Sequence, residues 1–222
     1  MEKDLQNSEL FEEQFKWKER RENGRFLLIV GLVFVLLFSI VFSWRQTYGG
    51  VVVDGASMNM TLSNKDKLLI RYVGGGVEAK RGDVIVVDVR GYKEFDLKAG
   101  EKTRTNFLIK RLIAIEGDSL YCTDGQIFIR YAGETDYVRL QEDYAYFHGN
   151  GLTKEDCDFA TYDVGAGEVF FLGDNRNNSL DSRFQEGASR LNCLYKASDI
   201  YGIVPEWAIE NKTFLAKIFF AW

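Results

Sequence analysis

The chain is poor in several residues on which common architectures and chemistries depend. It holds one proline, Pro205, among 222 residues, so its turns fall to 21 glycines and to Asn and Asp. It holds one histidine, His148, in the polar stretch Phe147-His148-Gly149-Asn150. A Ser-His-Asp hydrolase would have to be built on that residue, and nothing beside it in sequence suggests a nucleophile. Its three cysteines, Cys122, Cys157 and Cys193, form no CxxC pair or other metal-ligand spacing. An odd number cannot all pair within one chain, so neither a disulfide framework nor a metal site is expected. Basic residues are also in deficit: 28 Lys and Arg against 33 Asp and Glu leave a net charge of −5. That balance lacks the surplus a phosphate backbone demands, and no nucleic-acid partner is expected. No repeat is visible, and no cofactor is called for.

One long apolar run is present. Phe26 to Trp44 (FLLIVGLVFVLLFSIVFSW) carries no charge, and as a helix it spans about 28 Å, the hydrocarbon thickness of a bilayer. A core helix would show a polar face, and a cleavable signal peptide would be shorter and end on small residues rather than on Trp44-Arg45-Gln46. The run is expected to be a retained transmembrane helix. Lys16, Lys18, Arg20, Arg21 and Arg25 crowd its N-terminal side, and Arg45 alone follows it closely. The positive-inside rule then places residues 1–25 in the cytoplasm as a charged tail and 45–222 outside the cell membrane as a single-pass extracytoplasmic domain.

Beyond the run, short apolar alternations lie between turn signals. Strands are expected at Tyr48–Val53, Lys67–Tyr72, Val84–Val89, Asn106–Ile115, Ser119–Tyr121, Gln126–Arg130, Val169–Leu172 and Ile200–Val204. Gly74-Gly75-Gly76, Arg81-Gly82-Asp83, Glu116-Gly117-Asp118 and Thr123-Asp124-Gly125 punctuate them. The pattern predicts a mainly β, antiparallel, barrel-like domain, with a short helix near Ser57–Thr61. Residues 131–168 read as a polar, irregular, variable insertion. The apolar tail Phe214–Trp222 is too short to span a bilayer and is expected to pack on the domain.

With histidine all but absent, a serine hydrolase would need a lysine as base, and lysine accepts a proton only when neutral. Its ordinary pKa of about 10.4 leaves roughly one molecule in a few thousand neutral at pH 7, and burial is what lowers that value. Lys110 has such a setting, with Phe107, Leu108 and Ile109 before it and Leu112, Ile113 and Ile115 after. On a strand its neighbour Arg111 points to the opposite face. Taken alone, a lysine in an apolar strand is more commonly an edge gatekeeper or a snorkelling surface residue. Ser57 lies in Gly55-Ala56-Ser57-Met58, where a strand ends and the hydroxyl begins a turn; alone, such a serine is more commonly an N-cap. Placed there, its own N–H can face a developing oxyanion. The third segment is Gly173-Asp174-Asn175-Arg176-Asn177-Asn178-Ser179-Leu180-Asp181-Ser182-Arg183, by itself an Asn/Asp-rich turn.

In this order, behind one membrane-length run, the three segments resemble the bacterial type I signal peptidases of family S26, in their Gram-positive form. The likeness covers nearly the whole chain, including Thr61-Leu62, Asp66-Lys67-Leu68 and Arg81-Gly82-Asp83, the last read as architectural. It implies a membrane-anchored serine endopeptidase with Ser57 as nucleophile and Lys110 as general base. It implies that Ser179 hydrogen-bonds the lysine and that Asp181 pairs with Arg183. Asp174 would pair with Arg111 or Arg176. The substrates implied are exported preproteins, bound as a strand between Val51–Gly55 and Asn106–Ile109. Val53, Gly55, Met58, Leu62 and Ile109 would line shallow pockets that admit Ala-x-Ala before the cut. Membrane lipid and a nearby translocation machinery follow as partners. Two departures stand out: Met60 replaces the usual proline before Thr61-Leu62, and Gly55 occupies the place where Gram-negative relatives carry an oxyanion-binding serine. The rival readings are a self-cleaving Ser/Lys repressor, which would be cytosolic and DNA-binding, and an inactive membrane-tethered binding domain.

Overall fold

The computed structural model describes residues 2–74, 78–90, 92, 106–148, 151–183, 195–212 and 214. Cys193, the turn beyond Gly74 and the tail after Phe214 therefore lie outside the described residues. The chain divides into two units after Thr47. The first is one helix, α1 (Glu2–Thr47), whose stretch Lys16–Thr47 is long and apolar enough to cross a membrane.

The second unit is built on antiparallel strands: β1 (Tyr48–Val52), β2 (Lys67–Tyr72), β3 (Val84–Asp88), β4 (Phe107–Ile115), β5 (Ser119–Thr123), β6 (Gln126–Arg130), β7 (Val138–Arg139), β8 (Phe159–Asp163), β9 (Glu168–Leu172), β10 (Tyr195–Lys196) and β11 (Ile200–Val204), followed by a short helix α2 (Glu206–Glu210). Seven of them form one sheet in the order β1-β2-β11-β3-β4-β9-β10, and β7-β6-β5-β8 form a second. The mainly β antiparallel class expected from the alternation is the class observed. In β3 no residue from Val84 to Val87 is exposed, because both faces of the sheet are covered. Val84 and Val86 join Val53, Met58, Leu62 and Leu68 on one side, whereas Ile85 and Val87 join Leu112 and Phe171 on the other. A third cluster holds Ile113, Leu120, Ile127, Ile129, Phe170 and Leu172 where the two sheets meet.

Strand β4 is paired on its two sides over different parts of its length. Phe107–Arg111 pair with β3, and β9 joins the other side only from Arg111 onward. Its first half thus keeps one edge without a strand neighbour among the described residues.

Two expectations need correction. Ser57–Thr61 is a run of turns rather than a helix. Asn59 N–H donates to Ala56 O at 3.1 Å and Leu62 N–H to Met58 O at 2.8 Å, but the Ser57 carbonyl accepts from Asn175 instead of from a helical partner. The stretch 131–168 is not irregular throughout: it supplies β7 and β8, and residues 144–146 run beside the Gly-Asp-Asn-Arg segment through a parallel Tyr146–Asn175 bridge.

Candidate active site

Lys110 sits in the half of β4 that pairs with β3, opposite Ile85, and is 3 % exposed. Its Nζ donates to Ser57 Oγ at 2.8 Å and to Ile109 O at 3.0 Å. Burial brings its pKa down from 10.5 to about 8, against the pull of Asp181 and Asp174, whose carboxylates favour the ammonium. An amine half neutral at that pH, 2.8 Å from a hydroxyl, is placed to take its proton.

The Gly-Asp-Asn-Arg segment grips the serine turn through its main chain. Asn175 N–H donates to Ser57 O at 2.9 Å and its side-chain amide to Ala56 O at 3.3 Å. Gly173 leaves no room for a side chain: a Cβ there would meet Ser179 Oγ at 2.2 Å and Ser57 O at 2.6 Å. Of the two partners expected for Asp174, the structure selects Arg111, with bonds of 2.8 and 2.7 Å to a fully buried carboxylate that also accepts from Thr61 Oγ1 at 2.5 Å. Arg111 further donates to Gly82 O at 2.7 Å, tying in the Arg81-Gly82-Asp83 turn. Asp181 takes two bonds from Arg183, at 2.8 and 2.9 Å, and one from Gly173 N–H at 3.0 Å. Burial alone would raise the pKa of Asp181, but Arg183, the Gly173 N–H and the nearby Ser179 hydroxyl hold it below the ordinary carboxylate value. Arg176 pairs with Glu142, both side chains being buried.

Ser179 departs from expectation. Its Oγ is buried and makes no hydrogen bond of ordinary geometry, to Lys110 or to any other described residue. The two bonds that Lys110 Nζ donates go to Ser57 and Ile109, and the Ser179 hydroxyl lies instead on the Asp181 side.

Ser57 and Lys110 line a cleft of about 570 Å³. Val51 to Met58, Asn106 to Lys110, Asn178 and Leu180 make up its lining. Val53, Gly55, Met58 and Ile109 are therefore on the cleft, as expected. Leu62 is not: it is fully buried, packed with Val53, Met58 and Leu68 in the core. Its place follows from the Leu62 N–H to Met58 O bond, which folds the turn back under itself.

Residues 22–216 match the family model described as signal peptidase, peptidase S26. The chain belongs to this family. It is 27 % identical over 190 residues to signal peptidase I P of Bacillus subtilis subsp. natto, covering 84 % of this chain and 90 % of that one. It is 32 % identical over 161 residues to signal peptidase I U of Bacillus subtilis strain 168, covering 70 % and 76 %. A solved signal peptidase I of Enterococcus faecalis V583 is 23 % identical over 58 % of this chain and 98 % of that one, with a TM-score of 0.38. The enzyme class is that of a serine endopeptidase.

For a signal peptidase, three features of this site were absent from the sequence reading. Asn175 holds the serine turn, Asn178 and Leu180 line the cleft, and Glu142 with Tyr144 supports the loop from the 131–168 stretch. The Gly-Asp-Asn-Arg motif was a signal for the first two. Glu142 and Tyr144 sit in a polar stretch with no distinguishing pattern. Cys122 and Cys157 are buried free thiols, and Cys157 Sγ donates to Asn177 Oδ1 of the Gly-Asp-Asn-Arg segment at 2.8 Å.

Proposed function

We propose that this signal peptidase cuts exported preproteins with Ser57 as nucleophile and Lys110 as general base. The observation that carries the reading is a buried lysine 2.8 Å from a serine hydroxyl, both lining one cleft. Neutral Lys110 takes the Oγ proton as Oγ bonds to the scissile carbonyl carbon, and the Ser57 N–H, free of other bonds among the described residues, faces the oxyanion. The resulting ammonium passes that proton to the departing amine as the C–N bond breaks, leaving an ester on Ser57. Lys110 then deprotonates a water that opens the ester, and the proton returns to Oγ.

The substrate is held as an added strand. Among the described residues β1 pairs only with β2, and the first half of β4 only with β3, so both segments offer unpaired backbone groups to an extended chain. Val53, Met58 and Ile109 leave shallow space beneath that strand, suited to alanine at the first and third positions before the cut. Lys16–Thr47 anchors the enzyme in the cell membrane, single-pass, with the cleft outside near lipid and the translocation machinery.

The test uses the full chain and a preprotein with an Ala-x-Ala site. Ser57→Ala and Lys110→Ala each abolish cleavage and leave thermal unfolding cooperative, and Phe at either alanine blocks cutting by the wild type. Near-normal turnover in either variant removes the dyad assignment.

A further inference from the structure

The stretch 131–168 reaches the site through residues that neither the motif nor the mechanism accounts for. Glu142 and Arg176 form an ion pair whose side chains are 3 % and 2 % exposed, with bonds of 2.5 and 3.2 Å. Two charges placed so deep must be held in fixed geometry, since a buried cation without its partner is strongly disfavoured. The Arg176 guanidinium also donates to Gly173 O at 3.2 Å, the carbonyl of the residue wedged against Ser57 O and Ser179. Tyr144 donates its hydroxyl to Glu142 at 3.2 Å, and its ring lies 3.9 Å beneath the Arg111 guanidinium that clamps Asp174. Main-chain bonds complete the frame: Tyr146 N–H to Asp174 O and Arg176 N–H to Tyr146 O, each at 2.8 Å. Between these two fixed residues stands Asn175, whose N–H and amide hold the carbonyls of Ser57 and Ala56.

We propose that Glu142 is a positioning residue for the peptidase reaction: through Arg176 it sets the main chain of Gly173 to Arg176, and through Asn175 the place of the Ser57 hydroxyl and N–H. The inference rests on the dyad reading above. Its logic is geometric. Ser57 lies in a turn whose own helical bonds are incomplete, so its position is dictated from outside, and the outside grip is itself anchored to Glu142. A displacement of about 1 Å at a reacting atom costs up to about a hundredfold in rate.

The experiment measures kcat, KM and Tm on the full chain in detergent with an Ala-x-Ala preprotein, for Glu142→Gln, Glu142→Ala, Tyr144→Phe and the double variant Glu142→Met/Arg176→Met. Ser57→Ala runs alongside. The expected result is a kcat lowered about tenfold in Glu142→Gln and about a hundredfold in Glu142→Ala, with KM within about twofold of wild type. The double variant, in which no buried charge is left unpaired, regains most of the lost Tm but not the lost kcat. Recovery of kcat together with Tm overturns the proposal, because the pair then serves stability alone. A rise in KM with kcat unchanged, or wild-type kcat in both Glu142 variants, overturns it equally. Should the Glu142 variants fail to fold, Tyr144→Phe decides: it keeps the ring and the fold and lowers kcat about threefold, and an unchanged kcat there overturns the assignment. Turnover that persists in Ser57→Ala counts against the dyad instead, and is read separately.

Discussion

Lys110 bears on both activity and stability, and the two are linked by one equilibrium. Its pKa near 8 in the folded protein lies below the ordinary 10.5. Above pH 10.5 the amine is neutral in both states and favours neither. As pH falls toward 8 the unfolded chain takes up a proton that the folded chain refuses, and the folded state loses stability. Below 8 the penalty is constant, of the order of 3 kcal/mol. The expected kcat/KM therefore rises with pH through an ionisation near 8, and Lys110→Met, though inactive, unfolds at an equal or higher temperature than wild type at neutral pH. A pH–rate profile and parallel melting curves check both; a lower Tm for Lys110→Met across that range would mean a lysine held charged. The apolar neighbours of Lys110 announced its burial in the sequence. Nothing comparable marked Glu142, because the burial of a charge is decided by a distant partner, here Arg176, and leaves no local pattern. Leu62 erred the other way: its type fits a pocket wall, but the fold of its turn puts it in the core.

At the scale of elements, the Asp174–Arg111 pair joins β4 to the Gly-Asp-Asn-Arg loop, with Thr61 of the serine turn as a third member. The carboxylate is wholly buried and the guanidinium nearly so. Asp174→Asn leaves Arg111 without its counter-charge and is expected to cost about 3–5 kcal/mol of stability, with a larger fractional loss of kcat than of substrate affinity. A shift in the urea midpoint measures the first and steady-state kinetics the second; an unchanged midpoint would show the pair to be idle. Strands β6 and β11 were legible to the residue because side-chain period and burial agree there, and β2 because a short apolar run, Leu68 to Ile70, is buried throughout. Strands β7 and β10 have two residues each and carry no period to read. The helix expected at Ser57–Thr61 failed for a related reason: a local propensity yielded to bonds from residues more than a hundred positions away.

For the molecule as a whole, the apolar helix and the β unit are separate bodies on one chain. The proposed anchor confines the cleft to the plane where signal segments also reside, which raises their effective concentration without any added contact. Protease supplied outside sealed spheroplasts is expected to degrade residues 45–222 and to spare the 1–25 tail, as detected by terminal epitope tags. Loss of the N-terminal tag under sealed conditions would reverse the orientation read from Lys16 to Arg25. The candidate span was legible in the sequence because a run of uncharged apolar residues of that length is long enough to cross a bilayer.

Val51 to Met58 and Asn106 to Lys110 line the same cleft, with Asn178 and Leu180 beside them. Under the function proposed above, a chain laid between these two segments would be stitched to both through its backbone, whatever its side chains. The enzyme would then read the course of a polypeptide before its letters, and signal segments could vary widely so long as small residues stand at the cut.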